Sequence, residues 1–343
     1  MRRLSFCAFT LLLALSGAAT LASEREELAM SVLAGLGGRV SISKVDGNVA
    51  SHVDLRAANV RDEDLEHLKQ LPNVRSLDLA RTVVTDAALV IVGQLHELRE
   101  LDLAQTSITD AGLRQLAGLV HLHRLDLSGT RIDGAGFDAL QGLTRLEELD
   151  LFATRLNDEG LRNVARLTSL EILYLRATRV ADPGVGCLAA LKNLHSLSLR
   201  GTKITDASLK RLAGLTNLNW LGLKDTAITD AGLVSVGQLE NLQWLGLKNT
   251  TITDAGLAHL KGLKKLGYLG VSGTNVTDAG MRELADMRSL KMLSVNDTRI
   301  TDIGLGYLSR LRGLEWLNVG TTDVSDDAIM ALKDKLPDLE VVD

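Results

Sequence analysis

The residues of this 343-residue chain best suited to gripping another molecule recur at one spacing of 24. Trp220, Trp244, Tyr268 and Trp316 share a column, with Met292 between the last two, and that column takes all three tryptophans of the protein. Four positions further on, Phe152, Arg176, Arg200, Lys224 and Lys248 form a second column. Between the two runs a third, in which Tyr174 and Ser198 are followed by Gly222, Gly246 and Gly270. Rings beside cations do non-covalent chemistry, and Trp, Tyr and Arg supply most of the binding energy at protein interfaces. The glycines next to Trp220, Trp244 and Tyr268 are expected to leave the ring faces open. The competing reading is that the rings pack on one another and stiffen the sheet. Duplication would also explain why Trp220-Leu-Gly-Leu-Lys reappears from Trp244, though not Trp316.

The third column begins with acids: Asp54, Asp78, Asp102, Asp126 and Asp150. Carboxylates in a row repel and call for a cationic partner or a metal ion such as calcium. Equally, Leu-Asp-Leu is ordinary strand filler, a solvated acidic face with Arg75 and Arg99 nearby. Covalent chemistry has no comparable pattern. His52, His67, His96, His121, His123, His195 and His259 are scattered, and no Cys or acidic pair completes a metal set around His121 and His123. G-x-S-x-G, phosphate-loop and H-E-x-x-H motifs are missing. Cys187, without a His or Asp partner in sequence, reads as structural. The expectation is a chain without catalysis, cofactor or resident metal.

The elements that must position these columns come from the repeat itself. From Leu98 a leucine returns every 24 residues through Leu122, Leu146, Leu170, Leu194, Leu218, Leu242, Leu266 and Leu290 to Leu314. Val74 and Ala50 extend the register to twelve units over residues 50–338. The unit reads L-x-x-L-x-L-x-x-T-x-I-T-D-A-G-L-x-x-L-x-x-L-x-x, as in Leu98 to His121. Leu101-Asp102-Leu103 alternates as a short strand with one face buried. Thr109-Asp110 caps the helix that follows, and Leu113, Leu116 and Leu119 form one helical stripe. A single coil cannot bury its own apolar face, so coils must stack on a shared leucine core. Thr82, Thr106, Thr130, Thr154, Thr178, Thr202, Thr226, Thr250, Thr274, Thr298 and Thr322 repeat at the strand exit. Their hydroxyls are expected to point inward and bond the backbone of the next coil. Recurring glycines, Gly112 and Gly232 among them, suit close packing in the first helical turn.

Composition fits a thin, much-repeated layer. Leucine makes up about one residue in five, whereas aromatics are 3% and prolines number three. High apolar content with 38 basic and 43 acidic residues excludes a disordered chain. Two cysteines exclude a disulfide scaffold. Met1-Arg2-Arg3, the apolar run Leu4 to Leu15 and the small residues to Ala22 read as a secretory signal over residues 1–22. Its apolar run is too short for a comfortable membrane span. Cleavage would remove two arginines and no acid from the net −5, leaving −7, which argues against nucleic acid as a partner. Residues 23–49 read as an N-terminal cap. Leu28, Val32, Leu33 and Leu36 form a helix stopped by Gly37-Gly38, then Val40 and Ile42 make a strand and Asp46-Gly47 a hairpin turn. At the other end, residues 339–343 are a strand stub whose free edge offers a route to a homodimer.

The T-x-I-T-D-A-G-L segment and its leucine frame resemble the leucine-rich repeat superfamily over about residues 50–343. The likeness is greatest to the cysteine-containing subtype of F-box substrate receptors and exported bacterial repeat proteins, with Thr here where that subtype has Cys. The resemblance implies an α/β solenoid, a curved right-handed superhelix with a concave parallel sheet and convex short helices. It also implies protein binding. The expected function is a non-catalytic secreted or periplasmic scaffold that engages a protein through Phe152, Tyr174, Arg176, Arg200, Trp220, Lys224, Trp244, Lys248, Tyr268 and Trp316. The alternative is stacking of those aromatics on a cell-envelope glycan. An F-box-like receptor is disfavoured, since residues 24–49 are too few for that domain.

Overall fold

A computed structural model describes residues 24–45 and 48–343; the export signal and the Asp46-Gly47 turn expected from the sequence lie outside the described residues. The chain forms two compact units. The first runs through the described residues to Arg131 and adds Ala139–Leu146; the second comprises Ile132–Asp138 and Glu147–Asp343.

The first unit opens with a helix over residues 24–35, closed as expected at the glycine pair. Gly37 has φ +97°, and Gly38 N–H reaches back to Leu33 O at 2.9 Å. The buried stripe differs from the expected one. Ala29 and Leu33 face the core, while Leu28 is 62% exposed. Strand β1 (Arg39–Val45) pairs antiparallel with β2 (Asn48–Asp54), and β2 then pairs parallel with β3 (Val74–Asp78) across a register shift at Ser51/His52. β4 (Glu100–Asp102) and β5 (Arg124–Asp126) follow in parallel at 24-residue register.

The second unit repeats the same parallel step. Its strands are β6 (Glu148–Asp150), β7 (Ile172–Tyr174), β8 (Ser196–Ser198), β9 (Trp220–Gly222) and β10 (Trp244–Gly246). β11 (Tyr268–Gly270), β12 (Met292–Ser294), β13 (Trp316–Asn318) and β14 (Glu340–Val342) complete it. The core is the leucine ladder: Leu221, Leu223, Leu245 and Leu247 are fully buried. Phe137 sits in a leucine place on the helical side and is likewise buried.

Two features of the coil depart from the sequence expectation. The threonines from Thr82 to Thr298 are buried and Thr322 is half-buried, but each hydroxyl bonds its own coil. Thr106 Oγ1 donates to Leu103 O at 2.6 Å and Thr250 Oγ1 to Leu247 O at 2.7 Å. The reason is the turn before it. The preceding residue takes a left-handed φ, near +56° at Gln105 and Asn249, which brings the carbonyl just past the strand within reach.

Helix-start turns are tied to the preceding coil by that coil's own helix-start aspartate. Asp230 Oδ1 accepts Thr253 N–H at 2.7 Å, and its Oδ2 accepts the Thr253 hydroxyl at 2.6 Å. The same pair links Asp86 to Thr109, Asp182 to Thr205 and Asp302 to Ser325. The recurring glycine makes this approach feasible, since a Cβ at Gly112, Gly232 or Gly256 would run into the preceding coil's carboxylate. Where Ser208 replaces glycine, its hydroxyl instead donates to Asp182 Oδ1 at 2.5 Å.

Candidate binding face

The outward side of the second unit's sheet carries the ring column. In β9 and β10 a half-exposed Trp is followed by a buried leucine and a buried glycine, so each strand presents one ring. Parallel strands lie ~4.8 Å apart, close to the spacing of stacked aromatic planes. Trp220 and Trp244 accordingly stack at 4.3 Å between centroids and 11° between planes, and Trp244 and Tyr268 at 4.8 Å and 4°.

The glycines permit this by a route the sequence did not suggest. Each ring leans along its own strand over the glycine two residues on. A Cβ on Gly222 would lie 2.8 Å from Trp220 Cη2, one on Gly246 2.6 Å from Trp244 Cη2, and one on Gly270 2.8 Å from the Tyr268 hydroxyl oxygen. The facing sides of these three rings therefore cover one another rather than standing open. Trp244 has a ring on each face, and the stack offers solvent its rim.

Tyr174 closes one end, meeting Trp220 edge-on at 6.5 Å and 88°. Ser196 and Ser198 of β8, which lies between their strands, are buried. Burial pushes the Tyr174 and Tyr268 phenols up, with Glu148 adding to the effect at Tyr174. At the other end Met292 stands between Tyr268 and Trp316 in register, and Trp316 lies outside the three-ring stack.

The cation column splits. The Arg176 guanidinium lies 4.7 Å over the Phe152 ring and 5.9 Å from Tyr174, with Asp150 at 4.0 Å. Arg200 Nε donates to Asp225 Oδ2 at 3.2 Å. Lys224 and Lys248, half-buried beside the rings, form no ion pair among the described residues. The structure thus gathers Tyr174, Trp220, Trp244 and Tyr268 into one row. It sets Phe152 with Arg176 beside that row and leaves Trp316 apart.

In the first unit the acid column has a partner that the sequence reading missed. Arg56 Nε reaches Asp78 Oδ2 and its Nη2 reaches Asp102 Oδ2, both at 2.8 Å. Arg75 and Arg99 were the expected neighbours. The signal was present, because Arg56 falls in the same 24-residue column as Arg176, Arg200 and Lys224. Each aspartate also accepts the N–H two residues on: Asp78 from Ala80 at 2.9 Å, Asp126 from Ser128 at 2.8 Å and Asp150 from Phe152 at 2.7 Å. Asp102 nonetheless has its pKa raised. Half-burial and the carboxylates of Asp126 and Asp78 outweigh the Ala104 N–H and Arg56.

Among the described residues no group of three or more His, Cys, Asp or Glu is placed to hold a metal ion. Burial pushes the Cys187 thiol up, and its Sγ lies 2.8 Å from Gly184 O in the same helical turn.

The coil geometry has counterparts among known proteins. Leucine-rich-repeat family profiles match residues 96–156 and again 190–213. An internalin of Listeria monocytogenes superposes with TM-score 0.65 at 23% identity, covering 83% of this chain and 86% of that one. A leucine-rich-repeat protein of Leptospira interrogans gives TM-score 0.50 at 19% identity over 82% and 87%. The ectodomain of a plant membrane receptor kinase from Arabidopsis thaliana, solved with CASPARIAN STRIP INTEGRITY FACTOR 2, gives 0.55 at 17% identity. This chain spans 39% of that ectodomain, which in turn matches 88% of this chain. No curated protein matches in sequence. The fold is the solenoid of these leucine-rich-repeat structures, and the repeat's own sequence profile is met in two stretches of the chain.

Proposed function

We propose that this protein is an exported, non-catalytic scaffold that holds a protein partner on the outward sheet face of its second unit. The observation that carries the reading is the row Tyr174, Trp220, Trp244 and Tyr268, half-exposed and flanked by Lys224 and Lys248. Rigid aromatic surface loses little side-chain entropy on binding, and lysines outside any close ion pair complement acidic groups on a partner. Among the described residues no helix is long and apolar enough to cross a membrane. The basic and apolar leader is what supports export.

Sugar stacking is the weaker reading, because Trp244 has neighbouring rings on both faces and presents its rim. The test compares proteins captured from the native envelope fraction by the wild type and by Trp220→Ala/Trp244→Ala, alongside tryptophan fluorescence titrated with oligosaccharides. Loss of a specific partner with the variant supports the proposal. An unchanged captured set sinks it, and a saturable fluorescence response to sugar replaces it with the glycan reading.

A further inference from the structure

Away from the ring row, the helix-to-strand loops that precede β12, β13 and β14 enclose a cleft of about 690 Å³. It is lined by Arg288, Ser309, Arg310, Arg312, Gly313 and Lys335. Four of these six residues are cations, in a chain with net formal charge −5. Arg288 and Arg312 occupy equivalent places one 24-residue period apart, so coil stacking itself brings them side by side.

One carboxylate answers the four charges, as Asp286 Oδ1 lies 2.8 Å from Arg310 Nη2. Arg312 is oriented by a single bond, its Nη1 donating at 2.9 Å to the Lys335 carbonyl at the end of the helix Asp326–Lys335. The rest of its fork is left to other acceptors. The Ser309 hydroxyl is turned toward Gly306 O at 2.7 Å. Among the described residues Arg288 and the Lys335 ammonium form no ion pair.

Like charges that converge on one cleft disfavour one another unless an anion enters. Guanidinium forks present paired N–H groups that match the oxygen spacing of phosphate and carboxylate. The cleft volume lies within the range of ligand pockets, roughly 300–1,000 Å³, and exceeds what a lone ion fills. We propose that this cleft binds a phosphate- or sulfate-class oxyanion carried on a larger molecule. It is a second site, independent of the ring row.

The test is isothermal titration calorimetry of the full chain with inorganic pyrophosphate at low salt, wild type against Arg288→Gln/Lys335→Gln. Those substitutions leave the Asp286–Arg310 pair and the backbone acceptor of Arg312 in place. Binding weakened at least about tenfold in the variant is the expected result. Equal affinities, or binding by neither protein, overturn the proposal.

Flotation with phosphatidylcholine vesicles containing phosphatidylglycerol separates the sources. Capture that the variant loses assigns the oxyanion to a lipid headgroup. Pyrophosphate binding without capture assigns it to a soluble or polymer-borne group. Trp220→Ala/Trp244→Ala should bind pyrophosphate as the wild type does, so failure of the ring-row reading leaves this one standing.

Discussion

The outward faces of β3 to β5 and of β9 to β11 each rest on buried leucines and differ in what stands between those leucines. In β3 to β5 the middle position is aspartate, whose Oδ1 accepts the N–H two residues on and ties off the turn. Neighbouring carboxylates are drawn together, and Arg56 spans two of them. In β9 to β11 the middle position is glycine, which provides no such acceptor. It leaves a lane along the strand into which the preceding ring falls. One face is therefore partly neutralised from within and built of turns. The other is a wall of rings with lysines outside any close ion pair at its foot. The lesson is that a repeat keeps its core and reassigns a column, and the reassigned column separates a face of turns from the face proposed here for binding.

The largest effect expected from breaking this contrast is at Trp244, the ring with a partner on each face. Trp244→Ala removes two stacked pairs, each worth ~0.5–1.5 kcal/mol beyond area burial, together with apolar contact against the sheet. A loss of about 2–4 kcal/mol by urea denaturation is expected. Trp316→Ala, outside the stack, should lose clearly less. Equal losses would mean that stacking contributes little to the fold.

Next comes Gly246→Asp, which writes the first unit's pattern into the second. The new Cβ would lie 2.6 Å from Trp244 Cη2, so the ring must leave its lane. Overpacking of this kind costs about 1–3 kcal/mol. The near-ultraviolet circular dichroism of the Trp220–Trp244 pair should collapse. A spectrum unchanged by the substitution would contradict the assigned role of glycine.

How much of this could be read in advance follows the range of the interactions. The 24-residue leucine spacing dictates strand, turn and helix, because burial of one stripe is a local property of the pattern. Thr229 as a helix cap was legible for the same reason: its Oγ1 accepts Ala231 N–H from its own coil. The direction of the Thr250 hydroxyl was not, since it depends on the left-handed φ of Asn249. The Asp230 to Thr253 link runs between coils and shows in sequence only as two unrelated capping residues. The ring columns were legible as a list of residues. Their stacking was not, because ring orientation follows from the lane over Gly222 and Gly246. At the cap, Leu28 and Ala29 are sequence neighbours, and hydrophobicity favoured the wrong one for the core.

On the acidic face a smaller effect is expected from Arg56→Gln. Arg56 is half-exposed, so solvent screens both of its ion pairs. The loss should be below about 1 kcal/mol at low salt and should fade as salt is added. The corresponding neutralisation beside the rings, Lys224→Gln/Lys248→Gln, removes no internal ion pair and should leave the thermal midpoint unchanged. A drop there as large as that for Arg56→Gln would erase the distinction between ion-paired Arg56 and the two lysines beside the rings.

The subtlest test is the pH response of Asp102. Its folded pKa is raised by half-burial first and then by Asp126 and Asp78, so the folded chain holds this proton more tightly than the unfolded one. Where the folded state binds more protons, stability falls as pH rises through the interval between the unfolded and the raised folded pKa. The penalty is fully present above that interval and disappears below it. Asp102→Asn keeps an oxygen for the Ala104 N–H and carries no charge at any pH. The variant should therefore melt above the wild type at neutral pH, and the gap should close as pH falls through the carboxylate range. The reverse order at neutral pH would mean that the 2.8 Å contact with Arg56 outweighs burial and the two neighbouring acids. The acid column would then be a stabilising ion-pair ladder in its own right, and glycine in the second unit would represent a larger sacrifice of stability in favour of the ring wall.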